Sequence, residues 1–188
     1  METLLSIFIG IGLSAACGFR VFIPLVIVSI ASLSGHLTLA PGFEWVGTQP
    51  ALLAFGIASI VEILSYYVPV IDNLLDTIAF PAAVIAGTIV MASAVSEMSP
   101  LLRWALAVIV GGGIAGTVQG LTSITRLAST ATTAGLGNPI LSTAEAAGSV
   151  GMSIIAISLP LVAFVSAIGV MFYASVKLCR RLFRERAF

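Results

Sequence analysis

Between positions 4 and 33 the chain is mostly apolar, yet Arg20 and Pro24 stand inside that run. A bilayer core about 30 Å thick is crossed by roughly 20 helical residues at 1.5 Å each. The run is therefore about half as long again as one upright span requires, and it must tilt strongly, kink, or divide into two shorter helices. Gly18 and Pro24 bracket the natural place for a division, because proline lacks a backbone donor and collides with the preceding turn. Arg20 falls within that interval, in a stretch, "GLSAACGFRVFIPL", that otherwise reads as oil.

The rest of the chain is of the same kind. Hydrophobic residues make up 59% of it and charged residues only 9%, where a soluble domain carries about a quarter charged residues. Too few polar residues remain to cover a soluble core. The expectation is an all-α, polytopic transmembrane helical bundle with broken or re-entrant helices and short interfacial ones, in contact with the lipid bilayer. The formal net charge is zero, but Lys177, Arg180, Arg181, Arg184 and Arg186 crowd into the last dozen residues. A basic flank after an apolar segment is the positive-inside signal. It divides the chain into a single membrane domain, 1–176, and a basic cytoplasmic tail, 177–188. The start "METLLSIF" has no basic n-region, which argues against a cleaved signal peptide.

Further spans are expected at 51–67, which ends in the belt-like "SYY", at 82–96 and at 101–120. A last one opens in "NPILSTAEAAGS" and extends to about residue 176, with Pro160 kinking its middle. That makes five, or more if a broken element crosses. Residues 69–81 read as a short amphipathic piece, too polar to span. Residues 121–133 are patterned as an interfacial or re-entrant helix, with Thr122, Arg126, Ser129 and Thr133 on one face. "STAE" matches a capping box, with Ser142 as N-cap and Glu145 at the third helical position.

Two stripes of small residues predict close helix packing: Gly10, Ser14 and Gly18, and Gly112, Gly116 and Gly120. Each leads toward an arginine. Ionisable groups at membrane depth cost roughly 2.5 kcal/mol or more each, so every one needs a partner, a wet cavity or a route to the interface. Arg20, Glu62, Asp72, Asp76, Arg126 and Glu145 are the candidates. Arg20 is either a packing residue held by a carboxylate or carbonyls, the wall of a solute path, or a side chain that snorkels to an interface. Glu62 either snorkels or pairs with an arginine. Asp72 and Asp76, four apart, share a helix face that either holds a cation, salt-bridges to Arg20 or Arg126, or is simply solvated.

Soluble-enzyme signatures are missing from the sequence. The one histidine, His36, forms no metal or catalytic set, the two cysteines, Cys17 and Cys179, have no disulfide or metal spacing, and no phosphate-binding glycine loop follows a strand. We expect no enzyme activity, no cofactor, no resident metal and no nucleic-acid partner.

Three segments, "GFRVFIPL", "EILSYYVPVIDNLLDTIAFPAA" and "NPILSTAEAAGS", resemble in order and spacing a bacterial integral-membrane family catalogued as domain of unknown function 4126. The resemblance covers nearly the whole chain and is most specific over residues 62–81. It implies a small polytopic helical protein of a bacterial inner membrane and carries no activity with it. It marks Glu62, Asp72, Asp76, Asn138, Pro139 and Glu145 as part of the family pattern.

The leading functional expectation is a small transporter or channel whose path for a small solute or ion is lined by Arg20, Glu62, Asp72, Asp76, Arg126, Asn138 and Glu145. The rival is a non-transporting scaffold or assembly protein, in which these charges only pair and the glycine stripes mediate homo-oligomerisation.

Overall fold

The computed structural model describes residues 1–67 and 69–185. It is an all-α bundle: among the described residues there is no strand. Three helical stretches are long and apolar enough to cross a membrane, Thr77–Ala94, Pro100–Thr133 and Asn138–Ser158, and shorter apolar helices accompany them. The sequence had suggested five full spans, and the difference lies in how the long apolar runs divide.

Helix α1, Glu2–Cys17, stops at Gly18, and α2, Phe22–Leu33, restarts four residues later. The amides of Gly18, Phe19 and Arg20 fold back onto the carbonyls of Ala15 and Ala16, closing a tight turn. Pro24 sits in the first turn of α2, where a missing N–H costs nothing. Both outer ends of this pair lie beside the C-terminal end of α4, Pro69–Ala94. Thr3 Oγ1 donates to Glu97 Oε2 at 2.8 Å, and the Ala40 amide, just beyond α2, donates to the Ser93 carbonyl at 2.8 Å. The two helices are thus a hairpin whose arms, about 24 and 18 Å long at 1.5 Å per residue, leave and return on one side.

Helix α3, Gln49–Ser65, follows a single 3₁₀ turn, Glu44–Gly47, and is capped by Thr48, whose Oγ1 accepts the Ala51 amide at 3.3 Å. Helix α4 then passes straight through Pro81. The separate amphipathic piece expected at 69–81 and the span expected at 82–96 are one helix. Within a bundle, neighbouring helices make good what an internal proline removes.

Residues 100–133 are likewise one continuous helical rod: α5, Pro100–Leu106, a π-helical turn, Ala107–Gly112, and α6, Gly113–Thr133. The Ser/Thr-rich 121–133 stretch is the end of that rod, not a separate interfacial or re-entrant helix. The expected span at 101–120 therefore continues to Thr133. Ala134, in the left-handed region at φ 52°, and Gly135, at φ 88°, turn the chain into α7, Asn138–Ser158. The last apolar run does not kink at Pro160 but divides there. The residue before a proline is driven out of helical geometry, and Leu159 adopts φ −136°, ψ 67° before α8, Pro160–Glu185, begins.

The core is built by close approach of small residues. A Cβ on Gly12 would lie 2.7 Å from Ala156 and from Ala163, which sets α1 between α7 and α8. Phe8 packs on Phe164 at 4.5 Å between ring centroids. Ser14 Oγ donates to the Gly87 carbonyl of α4 at 2.9 Å. Gly87 and Gly111 face each other so closely that a Cβ on Gly87 would stand 2.8 Å from the Gly111 carbonyl. Of the two predicted stripes, Gly10, Ser14, Gly18, Gly112 and Gly116 meet neighbouring helices. Gly120 is a correction, since nothing lies within 4 Å of the position its Cβ would take.

Candidate functional site

The hairpin tip carries Arg20 into a polar cluster assembled from four helices. Its side chain is only 1% exposed. Nη2 donates to Ser142 through both the backbone carbonyl, at 3.0 Å, and Oγ, at 2.5 Å, and lies 3.2 Å from Glu145 Oε2. Arg126, 2% exposed on α6, grips the same carboxylate: Nε donates to Oε1 at 3.0 Å and Nη2 to Oε2. A single Glu145 oxygen is therefore shared by two guanidinium groups. Both guanidinium carbons also lie against the ring of Tyr66, at 3.9 and 4.1 Å from its centroid. In a low-dielectric interior these charge-assisted bonds and cation–π contacts offset a desolvation cost that neither arginine could meet alone.

Each member is placed by backbone geometry. Arg126 lies about two turns before the end of α6, and Glu145 about two turns after the start of α7, so the tight connection between the two helices sets them opposite each other. The capping-box assignment is corrected here. Helix α7 begins at Asn138, with Pro139 in its first turn, and Gly137 is its N-cap. Ser142 and Glu145 are thus interior residues on one buried stripe with Ser149 and Ser153, at helical spacing. The Ser149 hydroxyl donates to the Ala16 carbonyl at 3.0 Å, tying that stripe to the last turn of α1.

Glu62 neither snorkels nor makes an ion pair within 4 Å among the described residues. Its two oxygens accept the amides of Val21 and Phe22, at 2.9 and 3.1 Å, where α2 starts. Helix α2 has no capping side chain of its own, so the carboxylate from α3 satisfies its free donors and meets the positive end of its dipole. Asn138 is buried and donates to Thr130 Oγ1 across the α6–α7 turn at 3.1 Å. The side chains of Asp72 and Asp76, and those of the basic tail, lie outside the described residues.

Tyr66 and Ser142 are the site residues that sequence reasoning missed. "SYY" reads as an interfacial belt, and its second tyrosine is indeed 46% exposed, but Tyr66 is 6% exposed and packs under the guanidinium groups. The Tyr67 hydroxyl meets Thr143 Oγ1 at 2.7 Å, joining the end of α3 to α7 on the exposed side of the same cluster.

A helical membrane bundle in which a hairpin tip delivers one arginine to another through a shared glutamate is the class that these features define. The chain belongs to the family described as domain of unknown function (DUF4126), whose model matches residues 7–180. No curated protein and no solved structure matches it.

Proposed function

We propose that this chain is a multi-pass protein of a bacterial inner membrane, with a cytoplasmic C-terminus, that moves a small solute or ion past the hairpin tip. The observation that supports this reading is Arg20 itself, a fully buried guanidinium held where α1 and α3 end and α2 begins. A charge at membrane depth is costly and marks a working site by default. Interrupted helices whose ends converge on charged groups are how carriers hold solutes. Reconstituted in liposomes, wild type is expected to pass a solute that Arg20→Ala and Glu145→Gln do not. Identical behaviour of all three across a broad panel of ions and small metabolites would overturn the proposal.

A second reading has its own support. Glu145 already bridges both arginines, as it would in a scaffold whose charges serve only to hold helices. That reading is favoured by absent flux together with a stable homo-oligomer or a specific co-purifying membrane partner.

A further inference from the structure

We propose that Arg20 and Arg126 form a binding site for a small oxyanion, a carboxylate or phosphate group, with Glu145 as the resident counter-ion that the ligand displaces. The inference deepens the transport reading and rests on it for its biological role. The hydrogen-bonding of Arg20 is lopsided. Nη2 serves Ser142 twice and Glu145 once, while Nε and Nη1, equally buried, have no acceptor among the described residues. In a guanidinium group Nη2 shares one edge with Nε and the other with Nη1, so each edge is half used. Every guanidinium nitrogen is a donor and none an acceptor, so the missing partner must be an acceptor. The fork geometry suits the paired oxygens of a carboxylate or phosphate.

Glu145 shows where such a group fits. Its Oε2 lies between two guanidinium groups, the position an oxyanion would take, and its side chain is 10% exposed against 1% for Arg20, so it occupies the outer edge of the cluster. The other described carboxylate nearby, Glu62, is held by the Val21 and Phe22 amides and does not compete for the arginines. The exposed Tyr67–Thr143 hydrogen bond lies one residue along the chain from Tyr66 and from Ser142. A cation has no place between two guanidinium groups, whose charges repel it.

The test uses the full chain in nanodiscs, with calorimetric titration of inorganic phosphate and of succinate, and chloride as the control at constant ionic strength. Wild type is expected to bind one of these oxyanions saturably and to melt at higher temperature in its presence. Arg20→Lys, which keeps the charge but loses the fork, is expected to bind at least about tenfold more weakly. Glu145→Gln, which removes the competing carboxylate, should bind about tenfold more tightly. A purely structural cluster predicts no gain in Glu145→Gln. Folded Glu145→Gln with no gain over wild type overturns the proposal. If that variant does not fold, the wild-type and Arg20→Lys titrations decide.

The same chemistry is carried by a lipid headgroup, and native mass spectrometry separates the sources. Retention of phosphatidylglycerol by wild type but not by Arg20→Lys assigns the site to a headgroup, and phosphate or succinate binding without it assigns the site to a free anion. The absence of both Arg20-dependent lipid retention and oxyanion binding overturns the proposal. Oxyanion binding without flux would leave this site standing while sinking transport. Flux insensitive to phosphate and succinate, with no binding of either, would sink the site and leave transport standing.

Discussion

Glu62 on α3 receives the backbone amides of Val21 and Phe22 at 2.9 and 3.1 Å, so one helix supplies the N-terminal cap that another lacks. The contact spans some forty positions of sequence and fixes the hairpin tip against α3. It also orients the peptide that follows Arg20, and so sets the direction in which that side chain leaves the backbone.

Replacing Glu62 by Ala strands two amides in an apolar setting, each worth about 1–3 kcal/mol when left unsatisfied. We expect a loss of about 2–4 kcal/mol for Glu62→Ala in detergent-micelle unfolding titrations. Glu62→Gln, which keeps one acceptor, should lose about half as much. Equal losses for the two variants would mean that the charge, not the hydrogen bonding, carries the effect.

Glu145→Ala leaves two buried guanidinium groups facing each other with their shared carboxylate gone, and breaking a buried pair costs about 3–5 kcal/mol. Exchanging the pair together, as Arg126→Met with Glu145→Met, removes one of the two stranded guanidinium groups and the repulsion between them, leaves Arg20 on Ser142 and Tyr66, and is expected to restore part of that loss. A double-mutant cycle on unfolding midpoints gives the coupling, and a value near zero would contradict the bridged geometry.

The glycines separate by what surrounds them. A Cβ on Gly18 would lie 2.6 Å from the Ala115 carbonyl, and backbone there cannot move aside, so Gly18→Ala should destabilise by about 1–3 kcal/mol. On Gly10 the obstacle is the flexible end of Met91, and the cost should be smaller. Gly120→Ala meets nothing within 4 Å and should gain up to about 1 kcal/mol from helix propensity. Thermal unfolding of the three variants side by side tests the order.

Much of this architecture was legible in the residues, and the misreadings have physical causes. Length arithmetic on the first apolar run located its interruption, because a bilayer limits how many residues one helix can use. Proline was the less reliable guide. Pro24 opens a helix, Pro81 is carried inside one, and Pro160 begins one, and only tertiary surroundings decide which. The Ser142–Glu145 spacing fits both a capping box and the face of a buried stripe. What tips the balance is the arrival of Arg20 from a distant segment, which no local pattern records. Tyr66 was obscured for the same reason, since adjacent tyrosines at a helix end describe a membrane interface equally well.

Tyr66 also provides the most discriminating check on the cluster. Its ring lies within 3.9–4.1 Å of both guanidinium carbons, and a desolvated cation–π contact is worth up to about 2 kcal/mol. Phenylalanine keeps the ring face and leucine removes it at modest change in volume. Tyr66→Leu is therefore expected to lose about 2–3 kcal/mol of stability, and Tyr66→Phe distinctly less. The loss should shrink when Arg126 is already Met, because one of the two cations is then gone. Additive losses in that cycle would show that the ring merely fills space and contributes nothing specific to holding the guanidinium groups.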